Sequence, residues 1–423
     1  MRMLIPFTVA MSVAFADSLP LEDPDRGVRE NRGGHEHREI DDESLKEKFA
    51  GMLADSAREM DPDARRKFLD EWRDLIASAL VTLPADDPGG SGPADAEPTG
   101  DWRADDGSLE RARAYHAEHG GLSMLVMHRG EVVLEAYDNG GDAGTPQWLA
   151  SGTKSFVGVL AAAAVEDGLI EWDQPAADIL DEWRDDPAKK NITLRQLLNL
   201  TSGLRANPPG GALIGHSLAD ALEAPVVSRP GARYAYGANH FHAFAAALDR
   251  VLENERGIGI EQYLNERVLE PLGIGMGWRV RLEEGMPQLA GGGTMTARDW
   301  AVFGEFMRNR GRHDGRQLIA AEHLAECLEG TDANPAYGLT WWLNAEVPDP
   351  VLRRIPLLRR ELGGVLESDQ LPEDLHLAAG AGKQRLYVIP SLELVIVRQG
   401  RPRERGFRDE EFLMMLLFPD GGG

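Results

Sequence analysis

The sequence predicts an α+β fold, with one antiparallel sheet assembled from both ends of a domain, helices packed on it and a helical subdomain beside it. Three observations carry this reading. Leu122 to His128 and Glu131 to Tyr137 read as two strands joined at Arg129-Gly130, an early hairpin. Gln384 to Ile389 and Leu394 to Arg398, separated by Pro390-Ser391, form a late one. Between them the pattern is mostly helical, at Thr193 to Leu200, His240 to Leu252, Glu261 to Leu272 and Ala297 to Met307, and a last helix covers Asp409 to Leu417.

Taken from its start, the chain opens with Arg2 before an apolar run from Leu4 to Val13 that ends in Ala14-Phe15-Ala16. Residues 1–16 therefore read as a signal peptide cleaved before Asp17, and the product is expected to be exported, periplasmic or secreted. The alternative is an apolar terminus with no such role. Residues 17–83 form an acidic leader and a helical hairpin. Leu45, Phe49, Met52 and Leu53 make one apolar stripe, and Phe68, Trp72, Leu75, Ile76 and Ala79 make another. Asp61-Pro62 between them supplies an N-cap followed by the proline favoured at a first helical position. Residues 84–100, rich in proline and glycine, are a linker, and from 101 to 423 the pattern is that of a mixed α/β domain.

The chain has 423 residues, with 70 acidic side chains against 45 basic ones and a formal charge of −25. Such a charge repels nucleic acids and anionic membranes, so neither is an expected partner. Beyond the signal, no stretch approaches the roughly 18–20 apolar residues of a membrane span. Cys327 is the only cysteine, which excludes an intrachain disulfide and a cysteine-based zinc site. In AAEHLAECLEG it reads as a packed, inert thiol. No metal framework is expected: His35-Glu36-His37 has no second cluster, and the His240-Phe241-His242 spacing splays two rings apart on a helix. Nothing in the sequence fixes an oligomeric state.

The chemistry centres on Ser151-Gly152-Thr153-Lys154. Serine and lysine three apart share a helix face, so the amine can reach the hydroxyl one turn back, a nucleophile beside its base. Placing Ser151 at the N-terminus of the helix sets unpaired backbone N–H groups beside a forming oxyanion. The apolar run after it, Phe156 to Leu160 and an alanine stretch, predicts a helix buried through the domain, whose burial would lower the pKa of Lys154. By themselves these residues would equally suit an N-cap and a surface cation.

Further motifs decide between these readings. ASGTKSF, ITLRQLLNLTSGL from Ile192 to Leu204, PGARYAYGANHF from Pro230 to Phe241, LAGGGTMTARDWAVFGEFM, AYGLTWWLN, and GAGKQRLYVIPSLELVIVRQG from Gly380 to Gly400 occur in this order. Together they resemble the serine hydrolases of the β-lactamase/transpeptidase-like fold: penicillin-binding proteins, class C β-lactamases and related esterases and D-amino-acid peptidases. The resemblance implies that Ser151 attacks a carbonyl to form an acyl-enzyme and Lys154 takes the hydroxyl proton. Tyr236 shares that task and is eased toward phenolate by a neighbouring ammonium. It places the oxyanion hole at the backbone N–H groups of Ser151 and Ala381, and it implies no cofactor. Outside the motif, Tyr236 would read as a core aromatic.

Two departures shape the expected substrate. After Tyr236 come Gly237-Ala238, and Asn239, the candidate substrate-binding amide, stands one place late. At the third motif, where the family carries a lysine or histidine that grips a substrate carboxylate, this chain has Ala378-Ala379-Gly380. Lys383 and Arg385 read by default as solvent-facing charge, and His376 as a surface histidine. The missing cation shifts the expectation from β-lactams to an uncharged small-molecule ester or amide, with Gly380 and Trp148 lining the site. Trp341 and Trp342 are candidates for an apolar acyl pocket or for the core. The alternatives are a β-lactamase or D-amino-acid peptidase of the same fold, and a non-catalytic protein that docks a partner through the hairpin from Glu43 to Thr82.

Overall fold

The computed structural model describes residues 102–207, 217–355, 357–401 and 406–418. The predicted signal, leader, helical hairpin and linker lie outside the described residues.

Among the described residues there are eleven strands, β1 (Gly121–His128), β2 (Glu131–Tyr137), β3 (Gln147–Trp148), β4 (Gly277–Trp278), β5 (Gly293–Met295), β6 (Arg312–His313), β7 (Arg316–Gln317), β8 (Trp342–Leu343), β9 (His376–Gly380), β10 (Gln384–Ile389) and β11 (Leu394–Gly400), and six of them form the main sheet. The main sheet has the order β2-β1-β11-β10-β9-β8. Its central pairing, β1 with β11, runs antiparallel with Val126 opposite Ile396, so the early and late hairpins join as predicted. Strand β9 was not predicted. Its alanines and glycine carry little β propensity, yet all five of its residues are buried.

Among the described residues the longer helices are α1 (Asp106–Glu118), α2 (Lys154–Glu166), α3 (Asn239–Arg256), α4 (Ala297–Arg308) and α5 (Asp409–Leu417); α2 packs behind α4, with Phe156 stacked on Phe303, and the helices on the sheet itself are α1, α4 and α5. Strand alternation divides them between two faces. On one, α4 presses onto β10 and β11 so closely that a Cβ on Gly304 would lie 2.6 Å from both Leu386 and Val395. On the other, Tyr387 meets Phe412 of α5, and α5 ties to α1 through Tyr115, which donates to Glu411 at 2.9 Å. Asp105 starts α1 by accepting the Ser108 N–H at 2.7 Å.

Helix α2 is buried from Lys154 through Ala164, as its apolar run requires. The helix expected from Glu261 to Leu272 is broken into Ile260–Leu264, a wide turn over Asn265–Leu269 and a tight turn over Glu270–Leu272. Pro271 has no N–H for the helical ladder, and Gly273, with φ of 67°, ends it. Cys327 is fully buried, and burial pushes its thiol pKa up. Among the described residues no helix is long and apolar enough to cross a membrane.

Candidate active site

The chain enters the site through β3, where Trp148 pairs with Thr294 of β5. Ala150 then adopts a left-handed φ of 47° and turns the backbone into a tight 3-10 turn, Ala150–Thr153, that precedes α2. Ser151 therefore lies one turn before the α-helix rather than at its first residue. The turn is fastened by Thr153, whose hydroxyl donates to the Ala150 carbonyl at 2.7 Å and accepts the Gly293 N–H at 3.1 Å. Gly152 is required here, because a Cβ would sit 2.9 Å from the Trp300 ring.

Lys154 is buried, with its Nζ 3.3 Å from Ser151 Oγ and 2.5 Å from the carbonyl oxygen of Ala290. The amine also lies 4.8 Å from the Tyr236 ring centroid and 5.3 Å from that of Phe241. Desolvation lowers its pKa from the ordinary lysine value to about 7. In the neutral amine one N–H serves Ala290 and the lone pair is free for the serine hydroxyl. Ala290 was not among the residues expected to contribute. Its signal was the glycine run after it, since only glycine at Gly292 clears the Val280 carbonyl, 2.5 Å from where a Cβ would stand.

Tyr236 is stacked on Trp342 with ring centroids 5.8 Å apart. Burial raises its phenol to about 12, and the hydrogen bond with Ser151 offsets only part of that rise. The expected easing of its ionisation by a lysine ammonium does not appear: burial is the largest influence on the phenol, and burial of Lys154 itself disfavours the ammonium. The Tyr236 phenol is thus held above its ordinary value and the Lys154 amine below its own. The following residues form a clamp. A Cβ on Gly237 would lie 2.1 Å from the Ala206 carbonyl, and Asn207, which the sequence did not single out, accepts the Ala238 N–H at 3.2 Å. Asn239 is buried with its amide donating to the Arg205 carbonyl at 2.9 Å. Its placement ties down the loop at Arg205, and its Oδ1 has no hydrogen-bond partner among the described residues.

Strand β9 abuts the serine turn. A Cβ on Gly380 would fall 2.0 Å from the Leu149 carbonyl and 3.1 Å from the Gly152 nitrogen, so the close approach demands glycine. Ala381 follows in the turn to β10, and neither its N–H nor that of Ser151 donates to a backbone carbonyl among the described residues. Trp148 is half-buried, its indole donating to Gly291 at 2.6 Å and its face carrying the Arg279 guanidinium at 5.2 Å.

Several side chains depart from the reading of the sequence. Lys383 and Arg385 are not solvent-facing: both ion-pair with the buried carboxylate of Asp409, at 2.9 and 2.5 Å. His376 is not on the surface but opens β9 against Trp341, 3% exposed, and burial lowers its pKa to about 4. Trp341 is core, stacked on Phe303, whereas Trp342 lies against Tyr236. His240 and His242 separate as their spacing requires, one bonding Ser202 and the other Gln288. Among the described residues no group of histidine, cysteine and carboxylate side chains could hold a metal ion.

Such a fold, with a serine and a desolvated lysine at the mouth of a buried helix, defines a class of serine acyl-transferring enzymes. The model of the Beta-lactamase family matches residues 108–397, and the chain belongs to that family. Among curated proteins, it is 31% identical over 157 residues to the Monacolin J acid methylbutanoyltransferase of Aspergillus terreus, a match covering 31% of this chain and 37% of that relative. It thus spans little more than a third of that relative's length. Among solved structures, a family VIII carboxylesterase superposes with a TM-score of 0.56 at 18% identity, over 73% of this chain and 96% of that one. EstCE1, described as a hydrolase with promiscuous acyltransferase activity, gives 0.56 at 15% identity, over 73% and 96%.

Proposed function

We propose that the protein is a serine hydrolase of esterase type, acting through an acyl-enzyme on a small ester or amide that carries no carboxylate for the enzyme to grip. The observation that carries this reading is the buried Lys154 amine within 3.3 Å of Ser151 Oγ. Lys154 takes the hydroxyl proton as Oγ attacks the carbonyl carbon, and the oxyanion is met by the N–H groups of Ser151 and Ala381. Tyr236, protonated, relays the proton from Lys154 to the leaving group. Water, activated by the same amine, then releases the acid. The preference for an uncharged substrate rests on Ala378 at the place of the family's cation, with Lys383 and Arg385 engaged by Asp409.

A second reading, transfer of the acyl group to an alcohol, draws support from the partial similarity to the methylbutanoyltransferase. Wild type and Ser151→Ala are compared on a short-chain p-nitrophenyl ester, with and without an added alcohol, and on a chromogenic cephalosporin. Serine-dependent ester turnover with the cephalosporin untouched supports the esterase reading, and an acyl-alcohol product supports transfer. Rapid serine-dependent cephalosporin turnover would favour a β-lactamase, and ester turnover unchanged in Ser151→Ala would sink the nucleophile. Export rests on residues 1–16, and sequencing the N-terminus of protein recovered from the producing cell tests it, a start at Asp17 being expected.

A further inference from the structure

We propose that Arg385 is a positioning residue that aims the Ala381 N–H into the oxyanion hole by anchoring the Gly380–Ala381 peptide; the inference rests on the acyl-enzyme reading above. Arg385 lies on β10 opposite Ala379 and is 1% exposed. Its guanidinium is fixed at three corners. Nε donates to Asp409 Oδ1 at 2.5 Å, Nη2 to the Glu361 carbonyl at 2.9 Å, and Nη1 to the Gly380 carbonyl at 3.0 Å, with a further bond to Gln384 O at 3.0 Å. Asp409 is held in turn by Tyr387 at 2.7 Å and Lys383 at 2.9 Å, so the fork has little freedom to swing.

A trans peptide is planar, with its carbonyl and the following N–H pointing in opposite directions. Fixing the Gly380 carbonyl toward Arg385 therefore directs the Ala381 N–H away from it, to the side where the Leu149–Gly152 turn abuts Gly380. This peptide needs such an anchor, because the turn beyond it has left-handed residues at Gly382 (φ 79°) and Lys383 (φ 55°), a geometry in which a peptide plane can flip. Arg398 holds the far side of the turn, donating to the Lys383 carbonyl at 2.8 Å. The side chain lost at the front of β9, a cation for substrate, is thus distinct from this buried one, which serves the backbone.

The test measures the rate at which a fluorophosphonate labels wild type, Ser151→Ala and Arg385→Lys, together with kcat and KM on p-nitrophenyl butyrate. Lysine keeps a cation beside Asp409 but lacks the fork that reaches Gly380. The expected result is a folded Arg385→Lys protein whose labelling rate and kcat fall by about 10- to 100-fold, while KM stays within about twofold. A merely structural role would not produce that split. Should Arg385→Lys fail to fold, the pair Arg385→Met with Asp409→Leu replaces the buried ion pair by apolar side chains and is read in the same way. A folded variant that labels at the wild-type rate, or changes KM alone, overturns the proposal. Full labelling of Ser151→Ala, or none of wild type, would instead remove the acyl-enzyme reading and this inference with it.

Discussion

Lys154 donates to the carbonyl of Ala290 at 2.5 Å, and this bond fixes which way the amine presents its lone pair. In the proposed mechanism turnover needs that lone pair, hence the neutral amine. With the pKa lowered by burial to about 7, the acylation rate is expected to rise with pH through an inflection near 7 and to level off above it. A rate flat from pH 6 to 8 would show that another base operates.

The same burial costs stability. The folded pKa of Lys154 lies below its unfolded value, so the penalty is complete below pH 7 and is relieved as pH climbs toward 10.5. Lys154→Met is expected to be inactive yet more stable at pH 7, by about 1–4 kcal/mol in urea unfolding. A variant less stable than wild type would mean that the contacts of the amine outweigh its desolvation.

Gly380→Ala places a methyl group 2.0 Å from the Leu149 carbonyl, which is backbone and cannot step aside cheaply. Separation of β9 from the serine turn should cost about 1–3 kcal/mol of stability and about 100-fold in kcat. Thermal unfolding and ester kinetics on one preparation check both, and an active, fully stable variant contradicts the close approach.

Of the histidines buried among the described residues, His116, His240 and His376 are held toward the neutral form. Burial lowers His116 to about 3, with the charges of Arg398 and Arg113 adding to the effect, and lowers His240 and His376 to about 4. The unfolded chain therefore takes up these protons first as pH falls, and stability is lost from about pH 6.5 down toward 4, by up to about 1.4 kcal/mol per pH unit for each ring. A melting temperature unchanged across that window would show that the rings charge without unfolding.

The strands of both hairpins and the buried course of α2 could be read from the sequence because local pattern and tertiary role agree there. Gln384 to Ile389 is apolar and β-branched enough to declare itself, and it is fully buried. Strand β9 could not be read so, since Gly380 is small for contact with the serine turn, a long-range demand, and the alanines before it carry little strand signal. Lys383 and Arg385 were misplaced for a related reason: their environment is set by Asp409, far along the chain, and no local pattern announces a buried carboxylate. Ala290 acts through its own carbonyl, and Asn207 through a side chain bonded to the main chain at Ala238, a long-range partner that no local pattern advertises.

The pairing of β1 with β11 has a consequence for biosynthesis. A ribosome delivers Ser151 and its helix long before the strand that must lie beside β1, and before Ala381, the second donor of the proposed oxyanion hole. During that interval the apolar face of the first hairpin and an unfinished sheet edge are open to mispairing. Folding of this domain is thus an event that follows translation of β11. A chain stalled before Leu394 would hold Ser151 and Lys154 in sequence without the sheet pairing that completes the fold around them.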